Sequence, residues 1–464
     1  MVAGAAGLLI SLDTTVNIAF PAITAAFELE VSEIQWVVIS YVLTFASLLL
    51  AAGRVADAFG HRRVLAGGLV LTAAGVVWCG VAPDFGWFLA GRVVQGAGAA
   101  LTMGSAPALV TRLAPEAARS RALGGFQMGA ALGLAVGPAL GGILLEWSTW
   151  PSVFLFRLPV ACIVVALVAL LVPARADRDT GRGDDASLDL TGALLVGAGL
   201  AALLLALSRV REDGWGSPLV VTGIVAAVVL LTAWVLVEQR SPDPVIDLAL
   251  LRDTRFAVAN VLNVVANATM FAVWLLTPYY LLNVRGLSTI AGGVVLGLAP
   301  LATAVASPIA GRLDGRISTG RLCSIGLILE AAGLAAVAAT GAQTPFIGVA
   351  AALVLVGFGV GVFTVPNLSY VMGAIPQDRQ GVAGGLSQMM RMVGVVAGVA
   401  GASMFYDARL RHHVAERVVP VEDADSFVAA YQDTFLLVAL LCAVAAGVSL
   451  LRPPRVPGSS VDKM

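Results

Sequence analysis

The sequence predicts an all-α integral membrane protein with fourteen spanning helices, on three observations. Of its 464 residues, 59% are hydrophobic and only 12% charged, with a mean hydropathy of +0.91, whereas a soluble domain carries about 25% charged residues. Apolar runs of about 20 residues, the length a helix needs to cross a bilayer, recur along the whole chain. The basic residues also separate by side: nineteen fall at the ends and loops of one face and six at the other. The richer face holds both termini, which places them in the cytoplasm.

The first run, 2–23, lacks a basic leader and carries Asp13 inside it, so it reads as a retained helix and not a signal peptide. The outer loop after it holds Glu28, Glu30 and Glu33 with no basic residue. Runs at 36–58, 64–83, 86–111, 121–146 and 153–173 complete a first set of six. A pair follows at 190–208 and 218–237, set off by the polar Gly/Asp-rich stretch 175–186 and by the loop 238–255. The second six lie near 256–282, 289–311, 321–340, 345–372, 381–406 and 434–451. The expected division is an N-terminal six-helix bundle (1–173), a cytoplasmic connector with an inserted helix pair (174–254), a C-terminal six-helix bundle (255–451) and a cytoplasmic tail (452–464).

Several function classes are excluded. A net charge of −1 gives no footing for nucleic acid. Cys79, Cys162, Cys323 and Cys442 each sit in a separate apolar stretch, so neither a disulfide framework nor a metal cluster is readable. His61, His412 and His413 are the only histidines and none lies inside an apolar run. With no H-E-x-x-H or G-x-S-x-G, an intramembrane enzyme is set aside. His412 and Glu416 share a helical face in the longest outer loop, about 408–430, which reads as a solvated face and not a metal site.

The two sets of six echo each other. Gly53-Arg-Val-Ala-Asp57-Ala-Phe-Gly60-His-Arg62-Arg63 after the second helix recurs as Gly311-Arg-Leu-Asp-Gly-Arg-Ile-Ser-Thr-Gly-Arg321. Pro115-Glu-Ala-Ala-Arg119 with Gly124-Gly125 recurs as Pro376-Gln-Asp-Arg379 with Gly384-Gly385. Repeated membrane halves point to a transporter whose site lies between them near mid-bilayer.

The polar groups inside apolar runs are the candidates for chemistry. Asp13 is the deepest carboxylate of the first set, and Asn17 shares its helical face. Arg92 and Gln95 lie on neighbouring faces of the fourth helix, where an embedded arginine normally faces a cavity or a partner. Asn260, Asn263 and Asn267 recur along one face of the ninth helix, Glu330 sits mid-run in the eleventh, and Phe358, Phe363, Asn367 and Tyr370 mark the twelfth. The asparagine face suits either a cavity wall or helix packing. Glu330 suits either a functional carboxylate or a helix–helix hydrogen bond. The aromatics suit either core packing or a pocket for amphipathic or cationic compounds. Glycines at 129, 133, 137 and 141 form a small-residue stripe that lets two helix backbones approach closely.

Five patterns carry a resemblance. Gly133-x-x-x-Gly137-Pro138-x-x-Gly141-Gly142 resembles the antiporter motif of major facilitator drug exporters. The Gly53–Arg63 segment resembles that superfamily's loop signature, and Arg92-x-x-Gln95-Gly96-x-Gly98 its fourth-helix motif. Leu12-Asp13-Thr-Thr-Val-Asn17-Ile-Ala-Phe-Pro21 is similar to the first-helix motif of the fourteen-helix drug:proton antiporters (EmrB/QacA-like), with one residue fewer between aspartate and asparagine. Trp150-Pro-Ser-Val-Phe-Leu-Phe-Arg157 resembles the start of helix six, with Arg157 where the family usually has asparagine.

The resemblance covers nearly the whole chain and implies the major facilitator fold. It further implies proton-coupled efflux of amphipathic drugs or a secondary metabolite by alternating access, without a cofactor. In that reading Asp13, Arg92 and Glu330 serve proton coupling. Asn17, Gln95, Asn260, Asn263, Asn267, Phe363, Asn367 and Tyr370 line the substrate path, and Gly53, Asp57, Gly60, Arg62, Arg63 and Arg119 form a conformational latch. The alternative is a proton symporter or uniporter for a small metabolite on the same scaffold. The expected partners are a small-molecule substrate, protons and the lipid bilayer, around a monomer in the cell membrane.

Overall fold

Among the described residues of the computed structural model, twelve of the fourteen apolar runs fold into helices long and apolar enough to span, counting a sharply bent first helix as one. The structure describes residues 2–113, 119–173, 190–214, 216–239, 254–313, 316–373, 380–415 and 424–451. The first run is broken into α1 (Val2–Ser11), a tight turn at Leu12–Thr14, α2 (Thr15–Ile18) and α3 (Phe20–Ala26). There follow α4 (Gln35–Phe59), α5 (His61–Gly80), α6 (Phe85–Leu113), α7 (Arg119–Trp147), α8 (Ser152–Leu155) and α9 (Arg157–Leu171). The pair is α10 (Leu190–Asp213) and α11 (Pro218–Glu238). The second set is α12 (Thr254–Tyr279), α13 (Thr289–Leu313), α14 (Thr319–Ala338), α15 (Phe346–Gly373), α16 (Gln380–Ala415) and α17 (Ala424–Leu450).

The expected fourteen spans meet the structure unevenly. α4 and α10 hold shorter apolar stretches among the described residues, Gln35–Leu49 and Leu194–Leu203. α10 ends in Arg209, Arg211, Glu212 and Asp213, which cuts its apolar length. The outer loop expected at 408–430 is also corrected: α16 continues as helix to Ala415 and α17 begins at Ala424. His412 and His413 therefore stand on a helix, and Glu416 lies outside the described residues, as do the connector 174–189 and the tail 452–464.

Local chemistry explains the broken first helix. Thr14 and Thr15 turn their hydroxyls back onto the carbonyls of Ser11 and Leu12, at 3.1 and 2.8 Å, a pattern that bends helices. Pro21 has no amide hydrogen to continue the ladder, and the axis turns by 62° between Ile18 and Phe20. Each residue of the tight turn at Leu12–Thr14 advances by about 120° in place of about 100°. That restores part of the rotation lost with the missing residue before Asn17.

α1 packs on α7, α4 and α5 on α6, and α5 on α9, while in the second set α13 and α14 flank α15 and α12 lies along α16. The sets meet where α7 crosses α13 and α4 crosses α16, and α10 lies against both α4 and α11. The outward faces are apolar, as with Val221, Val225, Val228 and Val229 on α11, which suits a bilayer.

Among the described residues, the hydrogen bonds between the sets fall at one end of the helices. Thr24 and Tyr279 share a 2.5 Å hydrogen bond, Ser403 donates to the Ser32 carbonyl at 3.1 Å, and Thr289 donates to Gly142 at 2.9 Å and to Glu146 at 2.7 Å. Toward the opposite ends, those of Gly53, Pro107, Val371 and Ser387, the sets part around a cavity of about 830 Å³.

Candidate functional site

The cavity is lined by α1, α2, α4, α6 and α7 from the first set and by α12, α15 and α16 from the second. Asp13 lies on its wall, in the tight turn, and receives four donors. Arg92 holds it with two parallel bonds, Nη1 to Oδ1 at 2.7 Å and Nη2 to Oδ2 at 2.9 Å. Arg157 adds Nη1 to Oδ1 at 2.7 Å, and Gln95 adds Nε2 to Oδ1 at 3.3 Å. Bidentate guanidinium–carboxylate pairs of this kind fix both distance and plane. Arg92 is further tied to the Val37 carbonyl at 2.9 Å and to Gln95 Oε1 at 2.8 Å.

Charge in this cluster does not balance. One carboxylate, 16% exposed, faces two guanidiniums that are each 2% exposed. The rings of Tyr41 and Phe154 lie under the surplus, with the Arg92 guanidinium carbon 4.4 Å from the Tyr41 centroid and that of Arg157 5.2 Å from Phe154, where ring faces attract cations. Even so, Nε and Nη2 of Arg157 are buried without a hydrogen-bond partner among the described residues. Arg157 is the site residue that its motif reading passed over as a departure from asparagine.

The glycine stripe of α7 builds this corner. A β-carbon on Gly133 would stand 2.7 Å from the Leu8 carbonyl, and one on Gly141 2.5 Å from that of Thr15. At Gly137 it would strike the Thr14 hydroxyl, beside Asp13. Thr14 also donates to the Gly133 carbonyl at 3.3 Å. The other side of the motif faces the second set: a β-carbon on Gly142 would run into the Thr289 carbonyl, and Gly293 of α13 abuts the Pro138 carbonyl. α7 thus touches the helix bearing Asp13 and the partner set at once.

Of the expected substrate residues, Asn17, Asn263 and Asn367 line the cavity. The others are placed differently. Gln95 stands behind the wall in the Asp13 cluster. Asn260 accepts from Ser387 at 3.0 Å and donates to Phe256 at 3.0 Å, and Asn267 is bonded back to Asn263 at 2.8 Å. Neither lines the cavity: Asn260 ties α12 to α16 through Ser387, and Asn267 is bonded within its own helix. Phe363 is buried against Gly326 in the core, and Tyr370 is buried with Phe256 and Met389. Glu330 is fully buried away from the cavity, with Oε1 accepting from Thr269 at 2.7 Å and Oε2 without a hydrogen-bond partner among the described residues.

The latch residues are partly described. Gly60 takes φ 97° between α4 and α5, the positive angle expected of the turn, whereas Gly53 lies inside α4 and lines the cavity. Arg62 donates to the carbonyls of Val172 and Ala169 at 2.8 and 3.2 Å and so caps α9 within its own set. Arg63 has a partner of its own. The side chains of Asp57 and Arg119 lie outside the described residues.

Paired helical sets around a central cavity are the architecture of a membrane transporter. Residues 2–188 and 186–399 match the Major Facilitator Superfamily, and the chain belongs to it, as a multi-pass membrane protein. It is similar to multidrug resistance protein Stp of Mycobacterium tuberculosis, 33% identical over 410 residues, covering 87% of this chain and 75% of that one. It is also similar to puromycin resistance protein pur8 of Streptomyces alboniger, at 34% over 85% of this chain and 79% of pur8. Riboflavin transporter RibZ of Clostridioides difficile is 28% identical over 87% of this chain and 88% of RibZ. In fold it resembles the nucleoside transporter NupG, at a TM-score of 0.68 and 11% identity over 97% and 98% of the two chains.

Proposed function

We propose that this protein is a proton-coupled exporter of amphipathic small molecules, drugs or a secondary metabolite. The observation that carries the reading is the Asp13–Arg92–Arg157 cluster on the wall of the cavity between the sets. Similarity to two resistance proteins supports the direction of transport. The proposed architecture is fourteen spans in two six-helix bundles (1–173 and 255–451) with an inserted pair. Both termini are cytoplasmic, so the cavity faces inward in this conformation.

In the proposed cycle Asp13 is the proton site. Ionised, it ties the break in the first helix to α6 through Arg92 and to α9 through Arg157. A proton arriving from outside removes the charge those two hold, frees the turn at Leu12–Thr14, and lets α1 and α2 shift against the glycines of α7. Moving one elementary charge through the membrane is worth about 2.3 kcal/mol per 100 mV, so each proton taken inward can drive a substrate outward. Asparagine keeps the shape and hydrogen bonding of Asp13 but does not titrate. Asp13→Asn is expected to abolish efflux driven by an imposed pH gradient in proteoliposomes at matched protein content. Efflux at the unmutated rate would remove Asp13 from the role and turn attention to Glu330.

A second reading, a proton symporter or uniporter for a small metabolite, is favoured by the similarity to RibZ over most of both chains. The sign of substrate movement under the same gradient separates the two.

A further inference from the structure

We propose that the cavity selects amphipathic anions, with Arg391 as the group that recognises their negative charge. This rests on the reading of the cavity as the transport site and names the substrate class it takes.

Arg391 on α16 lines the cavity one turn beyond Gln388 and Ser387. Its Nε donates to Gln388 Oε1 at 3.2 Å. Among the described residues, neither terminal nitrogen makes a hydrogen bond and no carboxylate pairs with it. An arginine inside a membrane is costly and normally finds a counter-charge. Asp13 is the only carboxylate on the described cavity wall, and its oxygens are already taken by Arg92, Arg157 and Gln95. The described wall therefore carries one carboxylate against two guanidiniums, with a third, Arg157, directly behind it. A cationic compound, which the aromatics of the twelfth helix suit in the sequence, meets a surplus of positive charge there.

The rest of the wall defines the remainder of the ligand. Phe45, Phe126, Phe271, Met103 and Met392 offer an apolar and aromatic bed, while Asn17, Asn263 and Asn367 offer neutral hydrogen-bonding groups. With Nε bonded to Gln388, the two Nη groups remain to offer the fork that matches a carboxylate. The chemistry that satisfies all of this is a flat apolar body bearing one carboxylate or similar acidic group.

The test uses three probes with one apolar body: 1-pyrenebutyrate, 1-pyrenebutanol and 4-(1-pyrenyl)butyltrimethylammonium. Binding to the full chain in phosphatidylcholine nanodiscs is measured by equilibrium dialysis, with empty discs subtracted. The unmutated protein is expected to bind the butyrate at least about tenfold more tightly than the other two. Arg391→Gln should erase that preference while holding the affinity for the butanol within about twofold, which also checks that the variant is folded. Arg391→Lys should retain part of it. Equal or tighter binding of the cation by the unmutated protein overturns the proposal. So does a loss in Arg391→Gln that falls on all three probes alike, or an absence of binding by any of them. No gradient is applied, so failure of proton coupling or of the export direction leaves this result untouched.

Discussion

Arg157 Nη1 lies 2.7 Å from Asp13 Oδ1, joining residues 144 positions apart. This arginine stands where the resemblance implies an asparagine, and it makes the cluster carry one positive charge too many. Two of its nitrogens are buried without hydrogen-bond partners among the described residues, and leaving buried polar groups unsatisfied costs about 1–3 kcal/mol. Such a cost is characteristic of a functional position and not of a packing one.

Removing the two arginines should therefore have opposite effects on stability. Arg157→Asn leaves Asp13 in its two-bond pair with Arg92 and discards the orphaned nitrogens, so it is expected to raise thermal stability by about 1 kcal/mol. Arg92→Gln breaks the two-bond pair, the Val37 and Gln95 bonds and the Tyr41 contact together. Its expected cost is about 3 kcal/mol or more. Thermal unfolding of both variants in one detergent gives the order. Gradient-driven efflux should fall in both, so a more stable but slower Arg157→Asn is the diagnostic outcome. Equal destabilisation by the two changes would count against the charge surplus.

The glycine stripe supports a graded prediction. A β-carbon at Gly141 meets backbone, the Thr15 carbonyl at 2.5 Å, whereas at Gly137 it meets the movable end of Thr14. Gly141→Ala is thus expected to cost about 1–3 kcal/mol, as overpacking does, and Gly137→Ala less, because Thr14 can rotate and give up its 3.3 Å bond to Gly133 and its 3.1 Å bond to Ser11 without moving backbone. Leucine at either position should separate α7 from the first helix and abolish efflux. The melting temperatures of the alanine variants, with transport by the leucine ones, test this. A Gly141→Ala protein as stable as Gly137→Ala would show that the backbone contact is not tight.

The sequence makes some of this site legible for a physical reason. Asp13, Arg92 and Gln95 stand out because polar groups inside apolar runs have few available partners, and the structure brings all three together. The glycine spacing announced a close approach but not to which helix, since a small-residue stripe records only its own face. Arg157 was hidden by its position at a helix start, where an arginine is cheap to solvate, and no periodicity links it to Asp13. Arg391 sits near the start of a long apolar run, and its lack of a counter-charge among the described residues is visible only once the wall is assembled. The asparagines of α12 divide between the two readings, with Asn263 on the cavity wall and Asn260 bonded to Ser387.

The end of the bundle opposite the cavity is closed by few polar contacts, which makes it the place to test alternating access. Tyr279 is 1% exposed, and its hydroxyl meets Thr24 at 2.5 Å. The neighbouring links are Ser403 to Ser32 and Thr289 to Gly142 and Glu146. Replacing both partners, Thr24→Val with Tyr279→Phe, removes the bond and leaves no buried hydroxyl orphaned. The net loss is about 0.5–1.5 kcal/mol, and 1.4 kcal/mol is tenfold in an equilibrium. The state open at this end should therefore gain population by roughly two- to tenfold. Spin labels on cysteines placed at Ala26 and Asn283 would report it, in a chain whose exposed Cys162 is replaced by serine. The unmutated protein should give mainly the short distance of the closed end, and the double variant a larger share of a longer one. Tyr279→Phe alone should shift the distribution less, because the Thr24 hydroxyl can turn back to its own helix. Identical distributions in all three proteins would mean that this hydrogen bond does not hold the end closed. The weight would then fall on the packing of α7 against α13.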